Sequence, residues 1–141
     1  MDSRGYLVAN KVEIKKPDFS NIKRAVDDLR IKTGLKVEEI AKETAPVDTG
    51  NYRSQISFDG SNTVIAQANY SASLEYGTSA HEIRPQSAQA LHFKQNGKDV
   101  FYKKVYHTGT RPKPVMRNAA KETQKQIPEL WQQSLKENGI R

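Results

Sequence analysis

The three histidines are the residues whose chemistry would be easiest to recognise, because imidazole binds metals and transfers protons near neutral pH. His81, His92 and His107 are spread over 26 positions, and none has a second histidine at the spacing of a zinc-binding helix. We therefore predict no metal and no cofactor, although the three rings could still converge across neighbouring strands. The simpler interpretation of His92, between Leu91 and Phe93, is a half-exposed strand residue.

Other catalytic patterns are also missing. No serine lies in a Gly-x-Ser-x-Gly elbow, the glycines are scattered singly rather than gathered into a phosphate-binding loop, and cysteine is absent. Glu75 could act as an acid, but it has no paired carboxylate nearby in sequence, so an ion pair is the simpler role. The sequence therefore predicts a protein that is not an enzyme.

The positive charge of the chain is concentrated in one stretch. The 141 residues include 23 Lys and Arg against 16 Asp and Glu, a net charge of +7. Residues 84–117 carry eight basic side chains and only one acidic side chain, Asp99, so the whole excess lies there. Such a block indicates a face for nucleic acid or for an acidic protein partner. The alternative is a solvated, lysine-rich sheet edge that discourages aggregation.

Length and hydropathy limit the class of protein. The 141 residues fit a single domain over 1–141. No stretch approaches the ~20 consecutive apolar residues of a membrane helix, so no membrane contact is expected. Asp2 and the short apolar run 6–9 do not fit a secretion signal. With cysteine absent, we expect the chain to fold in a reducing cytoplasm.

The N-terminal third is predicted to hold an arm and a long helix. The arm, residues 1–17, includes a segment over 6–14 that is typical of a strand. Apolar residues then recur in steps of three or four over 18–44, which is the period of a helix. Asp18 can cap this helix, and Gly34 weakens its middle and could mark a bend.

The centre of the chain is predicted to form antiparallel hairpins. Strands 53–58 and 63–68 flank an Asp-Gly pair, and strands 90–94 and 100–106 flank an Asn-Gly pair. Both dipeptides favour tight hairpin turns. The histidine and lysine residues of the basic block would then lie on or beside these strands.

Residues 70–76, between the two hairpins, are predicted to form one or two helical turns closed by Gly77. In this segment Tyr70, Leu74 and Tyr76 would pack against the sheet while Glu75 stays polar.

The C-terminal part is predicted to be an extended loop followed by a helix. Prolines disfavour helix in the residues before them, so 108–114 must be extended. Helical spacing then runs from Met116 to Leu135, and the helix should kink or restart at Pro128. The fold class is therefore α+β, with antiparallel hairpins packed by a long N-terminal helix and a C-terminal helix.

The turn after the first helix is the most distinctive local segment. Pro46 should end the helix, Asp48 or Thr49 can bond backbone amides, and Gly50 permits a positive φ. A well-built helix-to-strand turn explains all of these residues except Arg53.

In their order along the chain, these segments resemble the tail-completion family of long-tailed bacteriophages, also called head–tail joining, neck or connector proteins. The resemblance spans about residues 20–125. After the long helix come Ala45-Pro46-Val47-Asp48-Thr49-Gly50-Asn51-Tyr52-Arg53-Ser54-Gln55-Ile56, Tyr70-(x)3-Leu74-Glu75-Tyr76-Gly77-Thr78, His81-Glu82-Ile83-Arg84-Pro85, Ala90-Leu91-His92-Phe93 and His107-Thr-Gly-Thr-Arg-Pro-Lys-Pro114. A closing helix completes the order.

The resemblance implies a non-enzymatic structural protein of the virion. Members of that family form rings, commonly hexamers, at the head-proximal end of the tail, and the ring joins the tail to the head connector while letting DNA pass. The implied partners are further copies of the chain, the tail tube or tail terminator, and the head connector, with possible non-specific contact to genomic DNA. The implied location is the neck of the virion, assembled in the cytoplasm of the bacterial host.

The basic block supplies the candidate docking residues for such a partner. They are Arg84, Lys103, Lys104, Arg111, Lys113 and Arg117. The alternative function is a nucleic-acid-binding module that uses the 84–117 face. Its aromatic residues could stack on bases, although they also alternate as strand core residues should. These aromatics are Phe93, Phe101, Tyr102 and Tyr106.

Overall fold

The computed structural model describes residues 18–140, so the arm 1–17 with its predicted strand at 6–14 lies outside the described residues. The predicted α+β class is confirmed. The elements in chain order are α1 Ser20–Thr44, α2 Asn51–Ser54, β1 Ile56–Phe58, β2 Val64–Ala66, α3 Ser71–Tyr76, β3 His81–Ile83, β4 Leu91–Gln95, β5 Lys98–Tyr102, β6 Val105–His107 and α4 Val115–Glu137.

Helix α1 follows the apolar period of the sequence closely. Its start is held by Asp18, whose carboxylate accepts hydrogen bonds from the backbone N–H of Ser20 at 2.9 Å and from its hydroxyl at 3.1 Å. It ends at Thr44, and Ala45 is extended with ψ 133°, as the residue before a proline should be. The helix continues through Gly34, which is buried against Phe58: a Cβ at Gly34 would overlap the Phe58 ring. The glycine therefore permits close packing of α1 on β1.

The two long helices pack against each other, and a small core lies where they meet α2 and β1. Its members are small side chains with two larger ones among them, namely Ala41, Ala45, Tyr52, Ile56, Ala68, Val115 and Ala119. Helix α4 runs through Pro128 from Val115 to Glu137, so it does not restart there. Many large apolar side chains of the described residues remain exposed, and the interior is correspondingly poor in bulky residues.

The strands of the described residues form three separate antiparallel pairs rather than one sheet. In the β1–β2 hairpin, the Asp59 carboxylate accepts hydrogen bonds from the backbone N–H groups of Ser61, Asn62 and Thr63 at 2.7, 3.0 and 3.1 Å. In the β4–β5 hairpin, Asn96 and Gly97 have φ of 53° and 78°. Two consecutive positive φ values are what an Asn-Gly turn of type I′ requires. Both predicted hairpins are confirmed, and three of their four strands are shorter than predicted.

The prediction of a single strand over 100–106 is wrong. Strand β5 ends at Tyr102, the chain turns at Lys103 and Lys104, and β6 then pairs with β3 instead of β4. Residues on both sides of the corner alternate in the same way, so the local pattern carries no sign of the switch. The two lysines, predicted on a strand, lie between two strands.

The predicted strand 53–58 is also partly wrong, because Arg53 lies in the one-turn helix α2. Gly50 enters this turn with φ 78°, in the left-handed region, and the Ser54 N–H donates to its carbonyl at 3.0 Å. A helical turn therefore replaces the first residues of the predicted strand, and β1 begins at Ile56.

Candidate functional site

The segment after the first hairpin and the start of α4 are joined by one buried carboxylate. Glu75, expected to stay polar while its neighbours pack, is only 7% exposed. Its carboxylate accepts hydrogen bonds from the backbone N–H groups of Met116 and Arg117 and from Nε of Arg117, all at 3.0 Å. The predicted ion pair is therefore present, but Glu75 is buried, whereas the sequence predicted that its neighbours would be buried instead.

The helix end explains why Glu75 is drawn inwards. The first N–H groups of a helix have no partner within the helix, and its positive end attracts an anion. Glu75 supplies two of the missing acceptors from another element. In return, the Arg117 guanidinium donates to the Glu75 carbonyl at 2.8 Å.

The aromatic residues beside Glu75 lie on the surface, contrary to the prediction that they pack. Tyr76 is 70% exposed and Tyr70 is nearly half exposed, whereas Leu74 does pack against the core. The Arg117 guanidinium lies 5.1 Å from the centroid of the Tyr76 ring, a cation–π distance. Arg117 thus binds Glu75 and also holds an exposed aromatic ring in place.

The loop 108–114 is extended, as predicted, and is fastened along α3. Thr78 and Thr110 exchange backbone hydrogen bonds of 3.0 and 3.1 Å, and the Lys113 N–H donates to the Leu74 carbonyl at 2.7 Å. The glycines before the two threonines, Gly77 and Gly109, have φ of 73° and 93°. The two Gly-Thr pairs look like independent loop exits in the sequence, but in the fold they are partners.

The turn after α1 is built around Gly50 and Tyr52. Gly50 has the predicted positive φ, and the Thr49 hydroxyl accepts from the Asn51 N–H over a long 3.4 Å. Tyr52 is 3% exposed, and burial raises the pKa of its hydroxyl, with a smaller contribution from the charge of Glu75. A cavity of about 160 Å³ separates this turn from α3 and is lined by Pro46, Asp48, Thr49, Gly50, Asn51, Tyr52, Tyr70 and Leu74.

Tyr52 is the residue of this region whose role the sequence did not reveal. It belongs to the core and lies 6.1 Å, centroid to centroid, from the ring of Tyr70. The turn 46–53, α3 and the start of α4 therefore pack together around the core residue Tyr52. Arg53, the turn residue that local geometry does not require, is exposed beside it.

The candidate docking residues occupy different settings. Arg84 and Lys104 both pair with Glu82, at 2.5 and 3.0 Å, and these contacts lower the pKa of the Glu82 carboxyl. Arg117 pairs with Glu75, as described. The remaining three are exposed: Lys103 at the β5–β6 corner, and Arg111 and Lys113 on the extended loop. Half of the predicted set therefore already contacts carboxylates of this chain.

The histidines do not converge. His81 and His107 face each other across the β3–β6 pair, with ring centroids 5.2 Å apart. His92 lies in the other hairpin, where its Nε2 is 2.9 Å from the Asp99 carboxylate and its ring stacks on Phe101. Within residues 18–140, no group of three His, Cys, Asp or Glu side chains could hold a metal ion.

The aromatic residues of the basic block are surface residues, not strand core residues. Phe101 and Tyr106 are about two-thirds exposed, and Phe93 and Tyr102 are about two-fifths exposed. The alternation that resembles a strand core therefore belongs to hairpins whose faces both reach solvent.

Neither long helix among residues 18–140 is apolar enough along its length to cross a membrane. No family model matches the chain, and neither the curated proteins nor the solved structures include a match to it.

Proposed function

We propose that this protein is a non-enzymatic structural component of a phage virion, which forms a ring at the head-proximal end of the tail and joins the tail to the head connector. The observation that carries the proposal is the convergence of the motif segments. The turn 46–53, the segment 70–78 and the loop 107–117 are far apart in sequence, yet they meet around Glu75 and Tyr52. Motifs that pack together form one structural unit, which supports reading them as a family signature.

The distribution of apolar residues supports an assembly role. The core contains mostly small side chains, while large ones such as Phe19, Ile22 and Val26, which follow one another at helical spacing at the start of α1, are exposed. Contiguous exposed apolar surface commonly marks a site of protein–protein contact. A subunit that is completed by its neighbours would have this distribution.

A second candidate function is non-specific nucleic-acid binding by the 84–117 face. The observation in its favour is that the exposed rings of Phe93 and Tyr102 directly precede the exposed lysines Lys94 and Lys103. Aromatic rings near cations are suited to stacking on bases and neutralising phosphates. Titration of purified protein with labelled duplex and single-stranded DNA tests it: tight binding with a steep salt dependence would favour this function over protein docking.

The proposed function is tested by removing the gene from the phage that encodes it. We expect filled heads and separate, complete tails in electron micrographs of the lysate, and we expect purified protein added to such a lysate to restore infectious particles. Normal particle yield without the gene would contradict the proposal. Native mass spectrometry gives a second measurement, in which the protein alone should be a monomer or weak oligomer and should form rings with tail or connector proteins.

A further inference from the structure

The β4–β5 hairpin carries an apolar face that this chain leaves open. The strand register places Leu91, Phe93, Val100 and Tyr102 on the same side. The rings of Phe93 and Tyr102 stack with centroids 5.4 Å apart and remain 39% and 43% exposed. A two-stranded hairpin is only marginally stable by itself in water, so this face has a physical reason to be covered.

The opposite face of the hairpin differs in character. There His92 stacks on Phe101 and contacts the Asp99 carboxylate, and Lys94 lies across from Asp99. Its polar groups have partners or reach water. The apolar face is therefore the side suited to docking, and Phe101 on the other face is a natural control position.

An apolar groove of about 370 Å³ lies elsewhere on the same subunit, between α1 and the β1–β2 hairpin. Its apolar lining is Val26, Leu29, Val37, Phe58 and Val64, and Arg30 also lines it, where its guanidinium pairs with Asp27 and donates to the Ser61 carbonyl. Val26 is 51% exposed, and Phe19 and Ile22 continue the apolar strip towards the start of α1. This volume lies within the ~300–1,000 Å³ range typical of pockets that receive apolar groups.

The charges around the two surfaces are complementary. Residues 18–76, which include the groove, carry seven basic and nine acidic side chains, whereas residues 77–117, which include the hairpin, carry eight basic and two acidic ones. Beside the groove, the exposed carboxylates of Asp27 and Asp59 outnumber the one cation among its lining residues, Arg30. On the hairpin, Lys98 is exposed on the side of Phe93 and Tyr102, and Lys94 is exposed on the opposite side. Two hairpins placed together would oppose lysines, and so the favourable pairing joins unlike surfaces.

From these features we infer that the hairpin of one copy docks, through Phe93 and Tyr102, in the α1 groove of a second copy. Nucleic acid could satisfy the lysines but would leave the apolar groove uncovered. The inference rests on the proposed ring and adds the contact that would build it. Because the two surfaces differ, each copy offers one hairpin and one groove, and such a head-to-tail contact closes into a ring when its rotation permits.

Site-directed cross-linking tests the contact, and the absence of native cysteine makes the reaction specific. The single variants Phe93→Cys and Val26→Cys are mixed in equal amounts at high protein concentration and treated with a short bismaleimide. We expect one new band, the heterodimer. A chain carrying both substitutions should give a ladder of trimers and larger species, since each copy then reacts at two sites.

The matched control pairs Phe101→Cys with Val26→Cys, which should give less than a tenth of the heterodimer yield. Three outcomes would overturn the inference: an equal yield in the control, absence of the heterodimer band, or a double variant that cross-links only within one chain. Retained melting temperatures show that the variants are folded.

A charge exchange gives an independent readout on the same contact. Lys98 lies on the same side of the hairpin as Phe93 and Tyr102. Lys98→Glu or Asp27→Lys alone should reduce the heterodimer yield several-fold, and the two combined on opposite copies should restore most of it. A combined pair no better than either single change would contradict the pairing.

Failure of this inference is distinguishable from failure of the proposed function. If rings form with tail or connector proteins and still form with the Phe93→Asp variant, the hairpin contact is contradicted but the proposed function is not. Conversely, efficient head-to-tail cross-linking together with normal particles in the gene deletion would support the contact and contradict the proposed function.

Discussion

At the scale of single residues, Glu75 shows how a charge can be buried when an element elsewhere needs an acceptor. Its carboxylate has three donors within hydrogen-bond distance, two of them backbone N–H groups of the first turn of α4. No local pattern in residues 70–76 predicts this, because the donors come from a segment about forty positions later. The sequence predicted an ion pair correctly, but it could not predict which side of α3 faces inwards.

Removing this carboxylate should loosen the junction of α3 and α4. Glu75→Ala leaves two helix N–H groups and the Arg117 guanidinium without their acceptor, and hydrogen bonds to a charged group contribute about 1.5–3 kcal/mol. We expect the free energy of unfolding in urea to fall by about 2 kcal/mol, with Glu75→Gln losing less because it keeps one acceptor oxygen. Glu129→Ala, exposed on α4, is the control and should change stability by less than ~0.5 kcal/mol. Equal stability of Glu75→Ala and this control would contradict the role.

Substitution of Gly50 measures the free-energy cost of backbone strain without the cost of a steric clash. Its φ is 78°, and no atom beyond its two chain neighbours lies within 4 Å of where a Cβ would be. Gly50→Val should therefore lower the free energy of unfolding by about 1 kcal/mol or more through strain alone. Gly50→Asn should recover part of the loss, since asparagine tolerates the left-handed region better. A melting temperature unchanged in the valine variant would show that the turn can adopt another conformation.

At the scale of elements, periodicity and turn chemistry predicted most of the architecture. Apolar residues along one face placed α1 within two residues of its observed start and at its observed end, and the Asp-Gly and Asn-Gly pairs placed both hairpins. The sequence did not predict which strands that are distant along the chain pair with each other. The chain leaves one hairpin at Lys103 and Lys104 and joins β3, and that choice depends on tertiary contacts rather than on the alternation of β5 and β6.

For the candidate site too, the sequence predicts local conformation but not the contacts between distant segments. The loop 108–114 had to be extended because of its prolines, but nothing in the sequence paired Thr110 with Thr78. Alternation is compatible both with a strand core and with rings free to stack on bases, because it reports the period of a strand and not which face has a partner. Hairpins that project from a small body break the usual link between alternation and burial.

The paired Gly-Thr segments can be tested as one element. A Cβ at Gly77 would lie 2.5 Å from the Thr110 carbonyl oxygen, and one at Gly109 would overlap the Thr78 carbonyl oxygen. Gly77→Ala and Gly109→Ala combine positive φ with a clash against backbone, so each should cost roughly 2 kcal/mol or more. Each should exceed the loss in Gly50→Ala, which has strain without a clash. Hydrogen exchange should show faster exchange at the Thr78 and Thr110 amides, and equal losses at all three glycines would contradict the bridge.

At the scale of the whole molecule, residues 18–140 combine a small core with long helices, three separate strand pairs and many exposed apolar side chains. In the proposed ring, neighbouring copies that cover this surface would stabilise the protein, because burial of apolar area contributes roughly 25 cal/mol per Å². The exposed basic residues of the 84–117 block should affect assembly rather than folding. Exposed charges contribute little to folding but guide and select partners, so folding and assembly should be separable by mutation.

The loop residues Arg111 and Lys113 offer the sharpest separation of folding from assembly. Both are exposed, and the loop is fixed in place through backbone hydrogen bonds that their side chains do not make. The double variant Arg111→Glu and Lys113→Glu should therefore keep its melting temperature, since surface substitutions usually change stability by only ~0.5 kcal/mol. If the loop docks on an acidic partner protein, the same variant should abolish head–tail joining.

Complementation of the gene deletion measures this directly. We expect the charge-reversed protein to be present and folded but to yield unattached heads and tails, and we expect the binding of the native protein to its partner to weaken as salt is added, because exposed charges are screened over ~8 Å at physiological ionic strength. The matched control is Lys121→Glu with Lys136→Glu on α4, which changes the net charge equally at exposed positions outside the loop. Strong sequence-independent duplex binding that the loop variant loses would indicate the genome as the partner instead. The channel of the proposed ring would have to release DNA during ejection, and tight phosphate contacts would hinder that release, so we expect protein docking. Normal infectious yield from the loop variant would show that this loop does not join the head to the tail.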